Sequence, residues 1–218
     1  MSGSLARLWI AATGPELACA PGSSDAESVE PTSPWRWSRR GDVAYLATGA
    51  GPVSASAALT WFLSRHSTNS IVGIGIAGVL PGSSCRRDQV YRVVRDSFPE
   101  SGAESARGEV LPLDFPGLEE REFALDAPPD LSHLPTAVAL TVGLSTGTAG
   151  TALRRRETGA DLESMEGAAW AFAASRWRIP FAQVRSISNV AGFRDREAWD
   201  IPGALGRLRR ALDRGPSA

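Results

Sequence analysis

Short apolar runs alternate along this chain with longer stretches in which Ala and Leu recur at three- and four-residue spacing. Leu5–Ala12, Val43–Thr48, Ile71–Ala77, Gln89–Val94, Ala137–Val142 and Phe181–Ile187 are bounded by Gly, Pro, Ser or Asp, the pattern of buried strands. Val53–Arg65, Ala149–Thr158, Met165–Trp177 and Glu197–Asp213 carry the helical spacing. Strand and helix in this alternation predict an α/β fold, with helices on the faces of a largely parallel or mixed sheet. Small ligands bind such sheets beyond the carboxyl ends of the strands. Two stretches break the pattern. Residues 19–41 are rich in Pro, Ser and Gly around Trp35-Arg36-Trp37, with a short strand expected before the Arg39–Gly41 turn, and residues 96–136 are rich in Pro and acids. Both read as long loops of one domain covering residues 1–218, because neither is a clean linker and no internal repeat is present.

Composition narrows the chemistry. A chain of 218 residues, 43% apolar and 22% charged, has the make-up of a soluble globular protein with a sizeable core. All 23 residues counted as Lys+Arg are Arg. A Schiff-base lysine, a phosphate loop ending in Lys and a lysine general base are therefore excluded. The net charge of −1 gives no electrostatic reason for a nucleic-acid or membrane partner. Cys19 and Cys85 stand without metal-ligand spacing around them, so neither a metal site nor a disulfide framework is expected. Arg7 interrupts the apolar run near the start, which reads as a first strand rather than a signal peptide, and a cytoplasmic location is expected.

Four motifs sit where this fold would place a ligand. Gly73-Ile74-Gly75-Ile76-Ala77-Gly78 satisfies the spacing of a dinucleotide loop, but that loop must open a helix, and Pro81-Gly82-Ser83-Ser84 breaks one. Residues 48–59, TGAGPVSASAAL, run from a strand into a helix. Their amides can face an anion or a sugar, or simply make the turn. Glu166 lies in the first turn of an Ala-rich helix, either as a partner of the helix dipole or as a functional acid. Ser188-Asn189 ends a strand, as a binding group or as the start of a turn.

Taken in order, IAATGPEL (10–17), TGAGPVSASAAL (48–59), GIAGVLPG (75–82), ESMEGAAW (163–170) and VRSISN (184–189) resemble the nucleoside phosphorylase and nucleosidase superfamily over nearly the whole chain. SMEGAAW together with ISNVAGFRDREAWDIPGAL resembles its futalosine hydrolase family. The resemblance implies a three-layer sandwich with a central mixed sheet flanked by helices. It also implies hydrolysis of the N-glycosidic bond of futalosine, a step toward menaquinone, with release of hypoxanthine and with no metal or organic cofactor. A related purine nucleosidase, a purine nucleoside phosphorylase and a non-catalytic nucleoside-binding module are the alternatives.

By the same resemblance, Glu16 is the general base that deprotonates water, and Arg185 orients Glu16 or the water. Glu166 binds the ribose hydroxyls, Met165 packs on the sugar, and Ala77 and Gly78 line the base and sugar pocket. Ser188 orients Asn189, which binds the base. The related methylthioadenosine/S-adenosylhomocysteine nucleosidases carry Asp where this chain has Asn189. An Asn NH₂ offers two donors and suits the N7 and O6 acceptors of a 6-oxopurine, whereas a protonated carboxyl suits adenine. Arg194 or Arg196 could hold the carboxylate of the 5′ extension, with an ordinary surface pairing to Asp195 or Glu197 as the plainer alternative. Phe98 and Phe193 are candidate walls of an apolar slot. A homodimer is expected by resemblance alone.

Overall fold

The structure, a computed structural model, describes residues 4–29, 33–107, 110–111 and 121–214. In chain order its first elements are β1 (Arg7–Ala11), the one-turn helix α1 (Gly14–Leu17), β2 (Glu27–Val29), β3 (Trp37–Arg40), β4 (Val43–Ala47), α2 (Pro52–Leu63), β5 (Ile71–Val79) and β6 (Val90–Ser97). There follow β7 (Ala103–Glu104), β8 (Val110–Leu111), β9 (Glu122–Ala124), β10 (Thr136–Thr141), α3 (Ala149–Glu157), β11 (Leu162–Ser164), α4 (Gly167–Arg176), β12 (Phe181–Val190) and α5 (Ile201–Asp213).

The main sheet runs β11-β10-β6-β12-β5-β1-β4-β3-β2, with β9 pairing on β6. It is mixed: β1 lies parallel to β4 and β5, and β5 parallel to β12, while β6 runs antiparallel to β12. The sheet curls until β11 also pairs with β5, placing Leu162 opposite Val79 and Glu163 opposite Gly78. Strands β5, β12, β6, β10 and β11 thus close on themselves, and the carboxyl end of β5 meets β11.

Helices cover both faces. On one, α2 and α4 bury Leu59, Phe62 and Trp170 against Leu8, Ile71 and Phe181. On the other, Leu208 and Leu212 of α5 and Cys19 beside α1 cover Trp9, Ile74 and Val184. A strand covered on both sides needs apolar residues in succession rather than alternation, which is why IVGIGIAGV of β5 is almost wholly buried. This is the expected three-layer α/β arrangement.

Several boundaries differ from the sequence pattern. GIGIAG lies entirely inside β5, which continues to Val79. Strand β12 runs on to Val190. Helix α5 starts at Ile201 rather than Glu197, because Asp200 caps it, accepting from Gly203 N at 2.9 Å, and Pro202 occupies its first turn. The two stretches read as loops carry short strands: β2 and β3 in the first, β7, β8 and β9 in the second. β3 is the strand expected before the Arg39–Gly41 turn. Residues 30–32, 108–109 and 112–120 of these stretches lie outside the described residues.

Candidate active site

Glu16 is buried despite its place on a four-residue helix. Thr13-Gly14-Pro15-Glu16 forms a reciprocal capping box, in which the Thr13 side chain accepts from Glu16 N while Glu16 Oε2 accepts from Thr13 N at 3.1 Å and Thr13 Oγ1 at 2.7 Å. The other oxygen, Oε1, accepts from Ile76 N at 3.0 Å. That amide is available because β1 pairs with β5 only as far as Gly73. The capping box and the end of β1 together hold the carboxylate over the middle of β5.

Glu166 directly precedes α4 and is buried. Its Oε1 accepts from Gly51 N at 3.2 Å, and Oε2 lies 3.5 Å from Arg185 Nη2. The glycine turn into α2, where Gly51 has φ 87°, therefore directs an amide at a carboxylate of the protein itself. Burial pushes the Glu166 carboxyl up from its ordinary value, and the Arg185 charge and the Gly51 amide oppose the rise. Arg185 is fully buried on β12, with its guanidinium 5.1 Å from the centre of the Trp170 ring. Gly75 makes the room: a Cβ there would lie 2.5 Å from Arg185 Nη1 and 2.7 Å from Glu16 Oε1. Deeper still, Thr141 Oγ1 donates to Asp96 Oδ1 at 3.0 Å and accepts from Ala168 N at 2.7 Å, tying β6 and β10 to the first turn of α4. Complete burial raises the Asp96 pKa to about 6 against the opposing charge of Arg185.

The end of β12 is bulged. Ile187 pairs with Ala77 and Asn189 with Gly78, so Ser188 is the extra residue that re-aims Asn189. Ser188 Oγ donates to Asn189 Oδ1 at 2.8 Å, and Asn189 Nδ2 donates to the Val190 carbonyl at 3.1 Å. These two bonds fix which end of the amide is oxygen, and one N–H of the NH₂ remains for a ligand.

Glu16, Ala77, Gly78, Met165, Glu166, Ser188 and Asn189 line one cleft of about 190 Å³. Five of the other expected residues are not on its wall. Arg185, expected to orient Glu16 or the water, is 0% exposed, with its Nη2 3.5 Å from Glu166 Oε2. Arg194 sits at the rim, donating to Ser145 Oγ at 2.6 Å with its guanidinium 5.3 Å from the Trp199 ring centre, and Arg196 is exposed. Phe98 packs against the core cluster of α2 and α4, and Phe193 is 85% exposed. The sequence reading missed Thr13, Thr146, Glu163 and Trp199, all of which line the cleft. The T-x-x-E spacing of the capping box was a signal for Thr13. The others are brought in by strand pairing and loop closure. A larger depression of about 400 Å³, lined in part by Leu17, Cys19 and Arg209, gathers no comparable set of acids and amide. No helix among the described residues is long and apolar enough to cross a membrane.

Three buried carboxylates, Glu16, Glu163 and Glu166, and an oriented amide meet at the carboxyl end of a mixed sheet, and sequence comparison gives the class. Residues 37–214 match the phosphorylase superfamily, and the chain belongs to it. Within that superfamily it groups with the futalosine hydrolases. It is 34% identical to the futalosine hydrolase of Thermus thermophilus, over 83% of this chain and 84% of that one, and 34% identical to that of Acidothermus cellulolyticus, over 96% and 89%. Among solved structures, a Helicobacter pylori futalosine hydrolase mutant superposes with a TM-score of 0.80 at 16% identity, over 96% of this chain and 97% of that one. A Helicobacter pylori MTAN mutant with 5′-methylthioadenosine in its active site superposes with a TM-score of 0.81 at 16% identity, over 97% of each chain. These structural likenesses establish the fold.

Proposed function

We propose that this protein is a purine nucleosidase that hydrolyses the N-glycosidic bond of futalosine, releasing hypoxanthine and the remaining sugar moiety in the cytoplasmic formation of menaquinone. The observation that carries the reading is the convergence of Glu16, Glu166 and Asn189 on one cleft, in a chain 34% identical to futalosine hydrolases.

Cleaving this bond makes the sugar an oxocarbenium-like cation and loads negative charge onto the departing purine, so the site must stabilise both and aim water at the anomeric carbon. Glu16 accepts the proton of the attacking water. The water oxygen bonds to C1′ as the C1′–N9 bond breaks, and the electron pair of that bond leaves with the purine. Glu166 accepts hydrogen bonds from the ribose hydroxyls, with Arg185 holding it in place, and Met165 packs against the sugar. Asn189, held by Ser188, donates its one free N–H to the N7 and O6 edge, and this bond strengthens as charge builds on the base. Ala77 and Gly78 give the flat base room. The chain acts as one domain and, by resemblance, as a homodimer, with no metal or organic cofactor in the reaction.

Of the two candidate arginines, Arg194 is the better partner for the benzoate of futalosine, because it bridges the rim between Ser145 and Trp199, both of which line the cleft. Arg194→Ala is expected to raise KM for futalosine about tenfold or more while sparing inosine, as the loss of a charge-assisted hydrogen bond predicts. Equal effects on both substrates would move the carboxylate elsewhere. The deciding experiment incubates the protein with futalosine, inosine and methylthioadenosine, with and without phosphate, and separates the products by chromatography. Phosphate-independent release of hypoxanthine from futalosine is the expected result. A phosphate-dependent sugar 1-phosphate would make the protein a phosphorylase, and no release of base would make it a binding module.

A further inference from the structure

Glu163 is a buried acid on the wall of the cleft to which the reaction above gives no task. It sits on β11, directly opposite Gly78 of β5, and Asn189 of β12 pairs with the same Gly78 from the other side. A Cβ at Gly78 would lie 3.3 Å from Asn189 Nδ2 and 3.5 Å from Glu163 Cγ. The bare glycine is therefore the floor of a slot with an amide on one flank and a carboxylate on the other. Asn189 Nδ2 and Glu163 Cγ thus lie no more than about 7 Å apart, close enough for neighbouring atoms on one edge of a heterocycle to meet both groups.

The carboxylate is held as an acceptor. Glu163 Oε1 accepts from Thr146 N at 3.0 Å, while Oε2 accepts from the Thr146 hydroxyl and from Arg155 Nη1 at 3.1 Å. Arg155 is itself buried and also pairs with Glu100, so a charge network fixes Glu163 from behind. With about two acceptor sites per carboxylate oxygen, Oε1 has one left for a donor in the cleft.

We propose that Glu163 accepts the N1–H of a 6-oxopurine and, together with Asn189, decides which purine the enzyme releases. A 6-oxopurine presents acceptors at N7 and O6 and then a donor at N1. Running from Asn189 across Gly78 to Glu163, the site presents a donor and then an acceptor in the matching order. Adenine has a lone pair at N1, which would face the carboxylate acceptor to acceptor and leave N1 without a donor. The inference rests on the nucleosidase reading and assigns the base-reading role to two residues rather than one.

The test uses free bases as inhibitors of futalosine hydrolysis by the wild type, Glu163→Gln and Glu163→Ala, with thermal unfolding recorded for each. For the wild type, hypoxanthine should inhibit at least about tenfold more tightly than adenine or 1-methylhypoxanthine, which lacks the N1 proton. Glu163→Ala should narrow both ratios about tenfold, since it removes the acceptor and opens space for a methyl group, and Glu163→Gln, which keeps one acceptor oxygen, should fall between. Unchanged ratios in a folded Glu163→Ala would overturn the role of Glu163 while leaving the hydrolase reading intact. Should neither variant fold, equal inhibition of the wild type by hypoxanthine and 1-methylhypoxanthine would overturn it as well. Failure of the wild type to release hypoxanthine from futalosine would remove the nucleosidase reading and this inference with it.

Discussion

At the scale of single residues, the hydrogen bonds around Glu16 and Asn189 separate two tasks that both fall on the reacting bond. Glu16 is held by two donors from Thr13 and one from Ile76, which keep it pointed into the cleft as an acceptor. Glu16→Gln preserves the shape but cannot take a proton, so nucleoside binding should persist while kcat falls about 10²- to 10⁴-fold, the usual range for a positioned general base. Single-turnover and equilibrium-binding measurements check this, and hydrolysis at the wild-type rate would remove Glu16 from the mechanism. Asn189 acts on the leaving group. Its oxygen accepts from Ser188 and one N–H donates to the Val190 carbonyl, so one N–H is left as a donor. Asn189→Asp should lower kcat/KM for hypoxanthine nucleosides at least about tenfold and raise it for adenine nucleosides, because a protonated carboxyl can both donate and accept. Assays on inosine and adenosine decide it, and an unchanged preference would mean that the base is read elsewhere.

At the scale of elements, the site depends on where strands stop and where they lack side chains. Gly75→Ala would push a methyl into the space shared by Arg185 Nη1 and Glu16 Oε1, so activity should fall by an order of magnitude or more, with a stability loss of about 1–3 kcal/mol from overpacking. Gly206→Ala is the matched control. Its new Cβ would meet only the end of the Arg210 side chain, at 3.4 Å, and α5 should gain about 0.5–1 kcal/mol with activity unchanged. Denaturant unfolding and steady-state kinetics on the two variants separate these outcomes. The same elements show what could be read from the chain alone. The buried strands β5 and β12 and the helices α2 and α4 follow from apolar runs and helical spacing, which are local properties. Strand β11 escapes such a reading because Leu162-Glu163-Ser164 is too short, and carries too much polarity, to register as a strand; only pairing with β10 and β5 makes it one. The bulge at Ser188 and the burial of Arg185 are likewise products of register and packing. Glu163 and Arg155 gave no signal, since an acid and an arginine eight residues apart look like surface charges until the sheet curls over them.

At the scale of the whole molecule, burying charge for function makes the folded state sensitive to pH in a direction opposite to that of surface ion pairs. Asp96 is completely buried, and its pKa rises from the ordinary 3.8 to about 6. Between those two values the native state keeps a proton that the unfolded chain releases, so unfolding stability falls as pH rises through the window and levels off above it. The rise of about two units corresponds to about 3 kcal/mol of destabilisation at neutral pH relative to pH 3. Asp96→Asn should remove most of that fall, and the variant should gain on the wild type as pH rises from 4 to 7. Because burial also raises Glu166, a slope of the same sign should remain in the variant. Guanidinium unfolding at pH 4, 5, 6 and 7 measures both curves, and parallel curves would show that Asp96 is not the group responsible. Asp96 reaches the first turn of α4 through Thr141, and Glu166 and Arg185 stand at that same end. If the ionised Asp96 serves to hold that turn, the more stable Asp96→Asn should also be the slower enzyme at pH 7, its kcat reduced while its unfolding midpoint rises. A variant both more stable and fully active would show instead that the buried acid contributes nothing to the turnover of this fold.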